Sequence, residues 1–120
     1  AAGEQFKAGE LLAPRKTFVQ NFKKAGLKLP IIHKGWFADF TPDDVPESII
    51  FAFFDGDFYE SIADSFRACD GKFHGKAAII VDDYANEALP GAAWAVDKWL
   101  ANNRQYTSRT ESSLAIIHIL

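Results

Sequence analysis

The chain has 120 residues, 48% of them apolar and 14% aromatic, with 24% charged side chains and a net charge of −3. This composition suits one compact domain over residues 1–120 and excludes a disordered chain. The charges are interspersed without a basic stripe, which argues against nucleic acid as a partner, and no apolar run approaches the ~20 residues of a membrane span.

A single cysteine, Cys69, excludes an internal disulfide and a cysteine-rich zinc site. The N-terminus lacks the charged-then-apolar layout of a signal peptide, so the expected location is cytoplasmic. The chain neither begins with methionine nor contains one, and it reads as a piece of something longer.

In chain order, Pro14 can open a helix in which Phe18, Phe22 and Ala25 recur at helical spacing, with Gly26 as its stop. The run KLPIIHKGWF predicts a short strand. TPDDVPES, rich in proline and acids, predicts a loop. IIFAFF, residues 49–54, is β-branched and aromatic without polar alternation, the pattern of a strand covered on both faces. Ile62, Phe66 and Cys69 then mark a helix ending at Gly71, with Cys69 as a small core side chain. KAAIIV is a second continuous apolar strand. Pro90 can open a third helix with Ala92, Val96, Trp99 and Leu100 on its inner face. Trp94, off that stripe, is free to face a partner or substrate. SLAIIHIL closes the chain as a last strand.

Strands alternating with helices place the chain in the α/β class, with a mostly parallel sheet and flanking helices. Each of the two apolar strands runs into carboxylates: Asp55-Gly56-Asp57 after the first, Asp82-Asp83 after the second. Their separation is close to the ~30 residues of one strand–helix–strand unit, so the strands are expected side by side and parallel. In open parallel sheets, ligands bind beyond the carboxyl ends of the strands. Four carboxylates sharing that crevice repel one another unless a cation sits among them, and an all-oxygen donor set favours Mg²⁺, Mn²⁺ or Ca²⁺ over zinc. The plainer alternative is that these acids cap the following helices in water. His33, His74 and His118 show no metal-type spacing and read as structural or surface residues.

The runs KGWFADFTP, FAFFDGDFYESI, IIVDDY and LPGAAWAVDKW, in this order, resemble the C-terminal half of the macrocin O-methyltransferase (TylF-type) family, from about Leu12 to Leu100. The resemblance implies a Rossmann-like class I methyltransferase fold. It also implies S-adenosylmethionine as cofactor and transfer of its methyl group to a hydroxyl of a small molecule, a sugar or natural product, assisted by Mg²⁺ or Mn²⁺. On the matching motifs, Asp55, Asp82 and Asp83 would hold the metal and Asp57 would be the general base. Trp36, Phe37 and Asp55 would border the cofactor, and Tyr59 and Glu60 belong to the family's YES run. The family's glycine-rich cofactor turn, and the acid that follows it, do not occur in these 120 residues, nor do the first strands of the complete fold. IIFAFF is therefore expected to leave an apolar sheet edge, to be covered by association with another copy.

Two other readings stand beside this one. An apolar strand leading into Asp-x-Asp, followed later by Asp-Asp, is also the pattern of a haloacid-dehalogenase-like magnesium phosphatase, although Tyr59 replaces that family's threonine or valine and the motifs lie closer than is usual there. The second is a non-catalytic methyltransferase-like fragment that folds and associates.

Overall fold

The computed structural model describes residues 13–120, which divide into two compact units at Lys34/Gly35. In the first unit, α1 spans Arg15–Lys24. Pro14 precedes it at φ −60°, a conformation its ring already enforces. The helix stops in a Schellman motif: the Leu27 N–H donates to Phe22 O at 3.0 Å and the Gly26 N–H to Lys23 O at 3.1 Å, with Gly26 at φ +67°. Phe18 and Phe22, one turn apart, bring their rings to 4.8 Å. The strand expected at KLPIIHKGWF does not form. A strand needs a neighbour for its backbone groups, and no described strand pairs with this run. Ile31 within it is 89% exposed.

The second unit holds the sheet. Its elements are β1 (Ile49–Phe54), α2 (Tyr59–Ala68), β2 (Phe73–Val81), α3 (Gly91–Asn102), β3 (Tyr106–Glu111) and β4 (Leu114–Ile119), with single 3₁₀ turns at Phe37–Asp39 and Pro42–Asp44. The second of these turns is closed by a capping box between Thr41 and Asp44. The sheet runs in the order β1-β2-β4-β3. The expected α/β class holds, and β1 and β2 are parallel neighbours. The sheet is not mostly parallel, however, since β4 runs antiparallel to both β2 and β3. The antiparallel part comes from a hairpin at the C-terminal end that turns through Ser112 (φ +56°).

α2 and α3 pack together over one face of the sheet. Ile62, Ile79, Val81, Val96 and Ile117 are fully buried there. An aromatic chain extends this core: Phe54 meets Phe66 edge-on at 5.0 Å, Phe66 stacks on Trp99 at 4.5 Å, and Trp99 meets Tyr106 at 4.8 Å. Cys69 is buried, as its spacing predicts, while Trp94 is exposed. The expectation that β1 is covered on both faces fails: β1 is the edge strand of the described sheet, and Ile50, Phe51 and Phe53 are each about half exposed or more. Within the second unit the helices α2 and α3 share one core with the sheet, and the side chains of an apolar strand that point away from that core have nothing of this unit to pack against.

Candidate active site

β1 and β2 finish level. Phe54 pairs with Val81, and the Asp82 N–H donates to Phe54 O at 2.9 Å, so Asp55 and Asp82 leave the sheet side by side. Both chains then turn sharply. The Phe58 N–H donates to Gly56 O at 2.7 Å around Asp57 at φ +66°, which is a γ-turn, and Asp83 sits at φ +60°. Two aspartates in the left-handed region within one crevice are uncommon; aspartate enters it more readily than most residues because its short side chain can bond locally.

These turns gather the four acids. Carboxylate oxygens of Asp55, Asp57 and Asp83 lie within 4.8 Å of one another. Asp82 neighbours Asp55, and Asp83 neighbours Asp57, closely enough for Asp82 to raise the cost of ionising Asp55 and Asp83 that of ionising Asp57. Burial, first, pushes the Asp55 carboxyl up to about 6, and the hydrogen bond and charge of Asp82, then the charges of Asp57 and Asp83, add to it. Asp57 is raised by burial and by its hydrogen bond and repulsion with Asp83, then by the charge of Asp82. A proton or a cation among these carboxylates would relieve their repulsion. Among the described residues the ion pairs are Arg67–Asp64, Lys72–Glu47 and Arg109–Glu111, none of them at the cluster. A crowded all-oxygen donor set, exposed at Asp55 and partly buried at Asp57, Asp82 and Asp83, with no cationic side chain paired to it, fits a hard divalent ion.

The other two residues singled out in the sequence lie next to this cluster. Phe37 packs against Gly56 so closely that a Cβ there would fall 2.9 Å from its ring and 2.5 Å from Ser61 Cβ. Trp36, 81% exposed, and Phe37 line a cleft of about 490 Å³ together with Phe58, Tyr59, Glu60 and Ser61. What holds Phe37 in place is not visible from local sequence. Arg67 on α2 donates to the carbonyls of Phe40 (2.9 Å), Phe37 (3.2 Å) and Ala38 (3.2 Å), clasping the whole 3₁₀ turn. Gly91 has an equally specific task, since a Cβ there would lie 2.5 Å from the Tyr59 backbone nitrogen; only glycine lets α3 start against the first turn of α2.

The sequence reading also missed three supports of the Asp82-Asp83 loop. Tyr84 hydroxyl donates to Asp97 Oδ1 at 2.7 Å, Ala85 N–H to Ser113 O at 3.1 Å, and Asn86 Nδ2 to Asp83 Oδ1 at 3.0 Å. The signal for the last was present, an asparagine three residues beyond an aspartate in a turn. The second depends on the β3–β4 hairpin, which the polar run YTSRTE conceals.

The sequence matches the family described as Macrocin-O-methyltransferase (TylF) over residues 2–111. Among solved structures it is similar to the O-methyltransferase NovP, with a TM-score of 0.80 and 24% identity, over 92% of this chain and 46% of that one. It is also similar to CalS11, described as a TDP-rhamnose 3′-O-methyltransferase of calicheamicin biosynthesis, with a TM-score of 0.60 and 22% identity, over 71% of this chain and 39% of that one. The chain thus spans less than half the length of either. No curated protein matches it significantly.

Proposed function

This chain belongs to the macrocin O-methyltransferase (TylF) family, and on that premise we propose that it forms the metal- and proton-handling part of an S-adenosylmethionine-dependent O-methyltransferase. The acceptor is a hydroxyl of a small molecule, a sugar or natural product, in keeping with the rhamnose named for CalS11. The observation that carries the reading is the meeting of Asp55, Asp57 and Asp83, with Asp82 against Asp55, at the level ends of two parallel strands.

S-adenosylmethionine, when bound, supplies an electrophilic methyl group, and a divalent cation supplies charge that orients the acceptor and lowers its hydroxyl pKa. The remaining work falls to this chain. Asp55 and Asp83, which meet in the cluster, offer oxygens to hold the cation, and Asp82, beside Asp55, is the third ligand by the resemblance to the family's motif. Asp57, at the tip of its γ-turn, accepts the proton that the acceptor hydroxyl must lose before it attacks, and its raised pKa brings it nearer the range in which a carboxylate takes up a proton at neutral pH. Trp36 and Phe37 give the adjoining cleft an aromatic wall for a flat, apolar part of the cofactor.

Mn²⁺ titration of the 120-residue chain tests this reading. Wild type is expected to bind, and Asp55→Asn and Asp83→Asn to lose binding; unchanged affinity in both variants overturns it. Asp57→Asn and Asp82→Asn divide the roles, since a base can be replaced with little loss of metal affinity and a ligand cannot. The family match favours methyl transfer over a magnesium phosphatase. Calorimetry with S-adenosylmethionine separates a cofactor-binding chain from a non-catalytic fragment, which would give no heat.

A further inference from the structure

Of the three supports under the Asp82-Asp83 loop, only Asn86 touches a carboxylate of the cluster. Its Nδ2 donates to Asp83 Oδ1 at 3.0 Å, and the group is partly buried. The amide has no freedom to turn over, because its own Oδ1 accepts the Ala88 N–H at 3.0 Å. Its backbone N–H closes the turn onto Asp83 O at 3.3 Å. Asn86 thus reads Asp83 at both ends, side chain to side chain and backbone to backbone. Without that donor, the Asp83 carboxylate would keep its place in the chain but lose its fixed rotamer, and an oxygen that must first be ordered binds a cation more weakly than one already set.

Resting on the metal-site reading above, we propose that Asn86 is a positioning residue for the cation: it aims the Asp83 carboxylate into the cluster through its side-chain amide. Asn86 reaches neither acceptor nor cation itself. Partners of metal ligands that act in this way typically change affinity by about 10- to 100-fold when lost.

The test uses the 120-residue chain with Mn²⁺ binding followed by electron paramagnetic resonance. Asn86→Leu removes the donor at similar size and is expected to weaken Mn²⁺ by about 10- to 100-fold. Asn86→Gln retains an amide donor and is expected to recover part of the loss, which a purely turn-shaping role would not allow. Melting of the metal-free variants reports damage to the turn separately. An Asn86→Leu variant with wild-type Mn²⁺ affinity overturns the proposal, and so does equal weakening in Asn86→Leu and Asn86→Gln. A second readout needs no metal: the Asn86 side-chain amide signal in ¹H–¹⁵N spectra is expected to shift in Asp83→Ala. If that shift occurs while wild type binds no Mn²⁺, the metal-site reading fails and takes the role of Asn86 with it; if wild type binds and the amide signal does not respond, the positioning role alone fails.

Discussion

At Asp55, burial and then the neighbouring Asp82 push the carboxyl from 3.8 up to about 6. A raised carboxyl pKa means that the fold favours the protonated form, so this contribution to stability is fully present below pH 3.8 and is lost as pH rises through about 6. The metal-free chain is therefore expected to melt higher at pH 5 than at pH 7.5, and Asp55→Asn to flatten that difference. A variant with the wild-type slope would place the titration elsewhere. Mn²⁺ should offset the loss at pH 7.5, because a cation relieves the same repulsion the proton does. Gly56 is a second single-residue constraint: Gly56→Ala puts a methyl group into Ser61 and the Phe37 ring, and overpacking of this kind is expected to cost about 1–3 kcal/mol in chemical denaturation.

Among the elements, the 3₁₀ turn at Phe37–Asp39 depends on α2 through one guanidinium that gathers three carbonyls. Hydrogen bonds to charged groups contribute roughly 1.5–3 kcal/mol, and the half-exposed Arg67 side chain belongs at the lower end of that range. Arg67→Ala is expected to speed hydrogen exchange at the Asp39 and Phe40 amides, which donate to Trp36 and Phe37 carbonyls, and to lower the melting temperature only slightly. Unchanged exchange at both amides would show that the turn stands without the clasp. The hairpin acts on the site in the same indirect way, since the Ser113 carbonyl receives the Ala85 N–H beside the Asp82-Asp83 loop.

On the scale of the whole molecule, β1 is paired along one edge only among the described strands. Along it, IIFAFF carries neither a proline nor a charged residue of the kind that discourages edge pairing, and it exposes Ile50, Phe51 and Phe53. The chain on its own is expected to self-associate through this edge, visible as a mass above 13.3 kDa in light scattering. Phe51→Lys should shift the population toward monomer; an unchanged mass would place the contact elsewhere. No helix among the described residues is long and apolar enough to cross a membrane.

The apolar runs IIFAFF and KAAIIV, each ending in acids, were enough to predict two neighbouring parallel strands and the carboxylates at their ends, because strand period and turn chemistry are local properties. The helices were legible for the same reason: Pro14, Gly26 and Gly71 punctuate them, and Ile62, Phe66 and Cys69 keep helical spacing. KLPIIHKGWF shows the limit, since its residues suit a strand but pairing requires a neighbour that local sequence cannot guarantee. Partners far apart in the chain were decided by packing alone: Arg67 with the Phe37 turn, Gly91 with Tyr59, and Ser113 with Ala85. Which oxygens face one another, and which asparagine holds them so, follows from where the backbone is forced to turn, and that is settled only when the whole unit closes.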